Sequence, residues 1–95
     1  MRIVGQDRAD AFARKRPNAR EPLRTWAQVL KSKDFSSLVD LKKAFGSADY
    51  VRPYTIFDIG GNKYRLIAVI DYELGLVSIL DVLTHEEYDR GRWRK

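Results

Sequence analysis

The stretch FDIGGNKYRLIAVI, Phe57 to Ile70, decides the fold of this chain. An apolar alternation runs into Gly60-Gly61, stops, and resumes with Lys63 and Arg65 just past the turn. A period of two marks strands, and paired glycines supply the positive φ angles of a tight hairpin. The reading is strand Tyr54 to Ile59, turn, then strand Lys63 to Asp71. Working outward, Tyr72-Glu73-Leu74-Gly75 is a second turn and Leu76 to Leu83 a third strand. Upstream the period lengthens to that of a helix. Ala9, Phe12 and Ala13 share one face of a helix that starts at Asp7 and ends at Pro17. Leu23, Trp26, Ala27 and Leu30 define a second helix with Pro22 in its first turn. A third runs from Ser36 to Phe45, with Leu38, Leu41 and Phe45 inward and Gly46 suited to a left-handed cap. GSADYVRP reads as loop, and Arg2-Ile3-Val4 as a short first strand. The expected fold class is α+β, with N-terminal helices packed on a small antiparallel β-meander in a single domain, residues 1–95.

Composition narrows the chemistry. The chain has 95 residues, no cysteine and one histidine. Disulfides, thiolate metal sites and multi-histidine metal sites are thereby excluded, and no carboxylate loop motif supports a hard cation. Neither a metal nor an organic cofactor is expected. The opening residues hold no apolar run long enough for a signal peptide or membrane span, so the expectation is a cytoplasmic protein without a membrane partner. The net charge of +5 is unevenly spread. Residues 1–33 hold nine Lys/Arg against three Asp/Glu, residues 34–89 five against ten, and the tail 90–95 adds four cations. Two basic ends around an acidic middle suit a polyanion gripped at its edges, which makes Arg14, Lys15, Arg92 and Arg94 candidate RNA contacts. The same charges also suit a merely solubilising surface.

Thr84-His85-Glu86-Glu87 has the form of a capping box, so a short last helix starts where the third strand ends. If Asp71 faces Leu76, register carries Lys63 to about Thr84 and Arg65 to about Val82. Lys63, Arg65, His85 and Tyr88 then meet at one end of the sheet. This set suits RNA cleavage through the 2′-hydroxyl, which needs a base, cations for the charge on phosphorus and an acid for the leaving 5′-oxygen. His85 is the best proton-transfer group, since imidazoles ordinarily titrate near ~6.5. The planar fork of Arg65 matches two phosphate oxygens. The acid is Lys63 or Tyr88; spacing does not choose. Each residue also has a plainer reading: Lys63 paired across the hairpin with Asp58, Arg65 with Asp81 or Glu87, His85 as a surface cap, Tyr88 as core.

These residues also carry a resemblance. FDIGGNKYRLIAVI followed by VLTHEEYDR resembles the HigB family of bacterial toxins. Its approximate pattern, F-N-[IV]-G-G-N-[KE]-x-R-[LIV] and then T-H-x-[ED]-Y-D, is met at Phe57, Ile59, Gly60, Gly61, Asn62, Lys63, Arg65 and Leu66, then Thr84, His85, Glu87, Tyr88 and Asp89. The helical half upstream is similar as well. The resemblance implies a RelE-like toxin domain and metal-independent mRNA cleavage, typically on the translating ribosome. It also implies neutralisation by a HigA-type antitoxin, through which alone operator DNA would be contacted. Residue by residue it carries over Asn62, Lys63, Arg65, His85 and Tyr88 as the functional set. Asp58 departs from the pattern, which has Asn there, and would set a negative charge beside the phosphate site. The alternative is a non-catalytic basic module that binds RNA or protein through the same surface.

Overall fold

The computed structural model describes residues 1–94; Lys95, counted above in the basic tail, lies outside them. Strand β1 (Arg2–Val4) leads into helix α1 (Gln6–Lys15), a single 3-10 turn at Pro17–Ala19, and helix α2 (Arg20–Lys31). Helix α3 (Leu38–Ala44) precedes four strands, β2 (Asp49–Val51), β3 (Tyr54–Ile59), β4 (Tyr64–Asp71) and β5 (Leu76–Thr84), and α4 (His85–Asp89) follows. The sheet order is β1-β5-β4-β3-β2. The α+β architecture therefore stands, and β3-β4-β5 is the expected meander.

Both edges add to that expectation. Asp49–Val51, read as loop, pairs antiparallel with β3. Three residues with an Asp at one end give no periodicity to read, and the pairing is made by backbone groups that any sequence offers. At the other edge β1 pairs with β5 in parallel, Arg2 opposite Leu76 and Val4 opposite Ser78. The sheet is mostly antiparallel rather than wholly so.

Register shows the sharpest departure. Asp71 does face Leu76, but a bulge at Ile67/Ala68 leaves Leu80 of β5 without an opposite residue. Beyond it the pairing slips by one, so Arg65 faces Leu83 and Tyr64 faces Thr84. A slip of one residue exchanges the two faces of a strand. Here it carries Val82 opposite Leu66 and into the main core. The first hairpin also differs: Ile59 pairs with Tyr64, so the loop is four residues, Gly60-Gly61-Asn62-Lys63, not two. Gly46 is not left-handed either; α3 ends on Phe45 at φ −125, and the positive angles near the site are Gly60 at 64, Gly61 at 68 and Gly91 at 74.

One face of the sheet carries the core. Leu66, Ala68, Phe57 and Val77 pack with Leu23, Trp26 and Leu30 of α2 and with Phe12 of α1. Edge-to-face aromatic pairs lace helices to strands: Trp26 on Phe57 at 5.3 Å, Phe45 on Phe57 at 5.1 Å and Phe12 on Tyr64 at 5.2 Å between centroids. Such geometry adds attraction beyond area burial. Trp26 is 3% exposed and is the centre of this packing. Trp26→Ala should cost about 3–5 kcal/mol and lower the melting temperature by at least ~10 °C, measured by thermal circular dichroism. A melt within a degree or two of the parent would show that α2 is not anchored through this ring.

Candidate active site

Strand alternation turns Asp58, Arg65, Ile67 and Leu83 to the sheet face opposite the helices. Ile56 and Ile67 are buried there, yet stand apart from the main core cluster. What closes over this face is α4 and the turn after it. Tyr88 stacks on Trp93, centroids 5.1 Å apart and planes 10° off parallel, and Trp93 meets Tyr54 edge-on at 5.6 Å. The indole Nε1 donates to the Tyr88 carbonyl at 3.0 Å, which locks the turn back on α4.

α4 starts where the capping box predicts. The Glu87 amide donates to Thr84 Oγ1 at 3.2 Å, and the Thr84 amide to Glu87 Oε1 at 2.9 Å. The His85 amide donates to the Lys63 carbonyl at 3.2 Å, so the first residue of α4 is tied to the last residue of the glycine loop. Lys63 and His85 are thus backbone neighbours, both with accessible side chains. One turn along α4, the Asp89 carboxylate lies 2.9 Å from His85 Nδ1. A proton placed on Nδ1 would face that carboxylate, and the ring would then keep Nε2 as its acceptor. Sequence reading misses this partner. Its signal is the spacing: His and Asp at i and i+4 share a helix face.

Arg65 is the buried member, 9% exposed. Its Nε meets Asp58 Oδ1 at 3.1 Å. Nη1 donates to the carbonyls of Tyr64, at 3.1 Å, and Asn62, at 3.3 Å, and Nη2 donates to Asn62 Oδ1 at 2.6 Å. The ring of Tyr88 lies against the guanidinium, 5.5 Å from Cζ to centroid. A guanidinium has five N–H groups. Three hydrogen bonds and the Asp58 ion pair turn the fork into the glycine loop, and the second Nη2 N–H has no acceptor among the described residues. Asp58, the cross-strand neighbour of Arg65, pairs with that residue and not with Lys63, and Arg65 takes Asp58 as its partner and not Asp81 or Glu87. The extra loop residues account for this, since they move Lys63 out of the ladder.

The four residues expected together do gather in pairs: Lys63 with His85 through the backbone, Arg65 with Tyr88 through the ring. Asn62 joins Arg65. The proposed RNA contacts divide. Lys15 lies beside Arg16, Phe12 and Glu87 at the foot of α4, and Arg92 lines a cleft with Trp93. Arg94 lies over the Trp93 ring at 5.0 Å. Arg14 instead lines a separate groove between α1 and α2, with Arg20 and Arg24. Arg8, Arg16 and Arg90, not singled out by sequence, stand along the α4 side. Among the described residues no cluster of three or more His, Asp or Glu is placed to hold a metal ion. No helix among them is long and apolar enough to cross a membrane.

Comparison with known proteins shows the family. The HigB_toxin family, described as the RelE-like toxic component of a toxin-antitoxin system, matches residues 19–91. The chain is 31% identical over 93 residues to an mRNA interferase HigB of Escherichia coli O6:H1, an alignment covering 95% of this chain and 90% of that protein. It is 29% identical over 92 residues to the mRNA interferase toxin HigB of Escherichia coli K12, covering 94% and 88%. An mRNA interferase HigB of Shigella flexneri is similar to the same degree.

The cap of α4 has a pH signature. The amide of Thr84 bonded to Glu87 holds its carboxyl below the ordinary value of 4.5. A depressed carboxylate contributes stability above its unfolded value and loses it as pH falls through the folded one. Unfolding by urea followed between pH 6 and 3 should therefore show the parent losing stability below about 4.5 more steeply than Glu87→Gln. Parallel slopes would mean that the cap is not closed in solution.

Proposed function

Because the chain belongs to the HigB family of RelE-like toxins, we propose that it cleaves mRNA, acting without a metal ion as an endoribonuclease of the cytoplasm. Relatives named mRNA interferase support the substrate. The translating ribosome is the setting in which it does so, and a HigA-type antitoxin is its neutralising partner. The single observation that carries the catalytic reading is the His85–Asp89 pair, held at the start of α4 and tied through the backbone to Lys63.

The chemistry follows from those positions. His85 Nε2 takes the proton of a 2′-hydroxyl while Asp89 steadies the ring and the imidazolium that forms. The 2′-oxygen attacks phosphorus, and the bond to the 5′-oxygen breaks. A proton from Lys63 or Tyr88 completes the leaving alcohol, so the products are a 2′,3′-cyclic phosphate and a 5′-hydroxyl. The exposed Lys63 ammonium supplies the positive charge nearest the phosphorane. Arg65 supplies one N–H together with the rigidity of the loop that presents Lys63 and Asn62.

On induction in a bacterial host, the parent should arrest growth and generate new mRNA 5′ ends with free hydroxyls. His85→Ala should lose about 10²–10⁴ of the cleavage rate at matched expression. Asp89→Asn, which keeps the shape but not the charge, should fall between the two. If His85→Ala arrests growth as fast as the parent, His85 is not the proton-transfer group. If the parent itself yields no new 5′ ends, a non-catalytic binding module replaces the enzyme.

The basic residues give a second measurement. Removing one cation that touches a phosphate should flatten the plot of log K against log salt by about 0.7 on single-stranded RNA. Neutralising Lys15, Arg92 and Arg94 in turn should each produce that change, and Arg14→Gln, in the α1/α2 groove, serves as the comparison. Unchanged slopes for all would reduce these residues to solubilising charge.

A further inference from the structure

Between the outer sheet face and the turn that carries Trp93 lies a cleft of about 490 Å³. That is within the range of roughly 300–1,000 Å³ usual for small-molecule sites. Its floor is apolar, Ile67 and Leu83, and two of its walls are the rings of Tyr54 and Trp93. Polar groups stand at the rim. Asp81 reaches in from β5, and Arg92 from the turn. Arg8 and Arg90 line it too, and Glu87 stands with Asp81 as a second carboxylate. An apolar floor, aromatic walls and adjacent cations suit a nucleobase with its phosphate. The cleft also adjoins the site, because Ile67 follows Arg65 on the same strand face and Trp93 stacks on Tyr88. Arg92 and Trp93 lie beyond residues 19–91, the stretch that matches the family.

We propose that this cleft holds one nucleobase of the RNA strand beside the cleaved bond, between Tyr54 and the part of Trp93 that Tyr88 and Arg94 leave uncovered, with its phosphate at Arg92, and that Asp81 selects bases bearing an exocyclic amine. The selection has a direct cause. One Asp81 oxygen already accepts from the Val82 amide at 3.0 Å. The carboxylate is acceptor-only, so its second oxygen takes an N–H from adenine, cytosine or guanine. Uracil offers that oxygen only its N3–H, which lies between two carbonyl oxygens that the carboxylate repels, so it pairs less well than a base with an amine on its edge. The proposal rests on the endoribonuclease reading for its meaning, though occupancy of the cleft is measurable without cleavage.

The test uses the antitoxin-free protein and the four nucleoside monophosphates as probes, with tryptophan fluorescence as readout. Trp26 is buried beneath the helices and serves as a constant background. AMP, CMP and GMP should perturb the emission at lower concentrations than UMP, by on the order of 10-fold. Trp93→Ala should abolish the response, and Asp81→Asn should bring UMP level with CMP. In cells, mapped 5′ ends from the parent should be poor in uracil at one fixed offset from the cut, and Asp81→Asn should erase that bias. Asp81→Asn removes no packing, so it decides the matter even if Trp93→Ala fails to fold. Equal response to all four nucleotides in the parent, or an unaltered offset bias in Asp81→Asn, overturns the proposal while leaving cleavage intact. A selective response in a parent that cuts no mRNA upholds the cleft and defeats the nuclease reading instead.

Discussion

A guanidinium that is 9% exposed must have its N–H groups satisfied within the protein, and the site end of this sheet is built around that requirement for Arg65. Its partners come from three segments. Asp58 reaches across from β3, the Asn62 side chain and carbonyl fold back from the glycine loop, and Tyr88 lies over it from α4. The loop can place Asn62 there only because Gly60 and Gly61 take positive φ in succession, a conformation that side chains disfavour. Removing one partner of a buried ion pair costs about 3–5 kcal/mol, since the other is left charged and alone. Arg65 thus holds together loop, strand and terminal helix, and through the loop it fixes where Lys63 stands.

This reassigns the departure at Asp58. An acid beside a free phosphate-binding cation would repel substrate. Here its carboxylate is taken up by the Nε of Arg65, so the two charges largely cancel within the fold. The consequence falls on the rest of the site. With Arg65 neutralised, a polyanion must be drawn by cations that remain accessible, Lys63 first and then the arginines of the C-terminal turn. Rigid positioning and accessible charge, which one arginine fork would have combined, are divided between neighbouring residues.

Much of this is legible in sequence, and the failures share a cause. Helix faces such as Leu23, Trp26 and Leu30, and the capping box at Thr84 and Glu87, are local patterns whose physics is complete within a few residues. Grouping Lys63, Arg65, His85 and Tyr88 at one end of the sheet needs alternation, a register and the capping box together, and the structure joins them as two pairs. What alternation does not contain is the number of residues in a loop or a bulge. The skipped Leu80 and the four-residue hairpin each shift pairing without leaving a mark on the apolar pattern. Alternation by itself therefore matches Asp58 to Lys63, and Arg65 to Val82. Strand β2 escapes such reading because an edge strand of three residues is made by backbone hydrogen bonds. Asp89 is in plain view at i+4 from His85 on the helix that the capping box predicts, but shared spacing on one face does not say that the two side chains meet.

The bulge also explains why the two basic ends of the chain meet. β1 pairs only with Leu76 to Ser78, so the outer backbone edge of β5 is open from Ile79 onward. At the bulge the Leu80 carbonyl has no strand partner on that side, and Arg8 of α1 donates to it at 2.9 Å. This bond carries α1 across the open edge and protects it from pairing with another strand. It also brings Arg8, Lys15 and Arg16 alongside Asp81 and Glu87, on the same rim as Arg92. Cations separated by most of the chain length therefore border one surface, with Asp81 of β5 and Glu87 of α4 set among them. A rim of mixed sign attracts phosphate at some points and rejects it at others. It guides a strand along one track, which a uniformly positive face would not do.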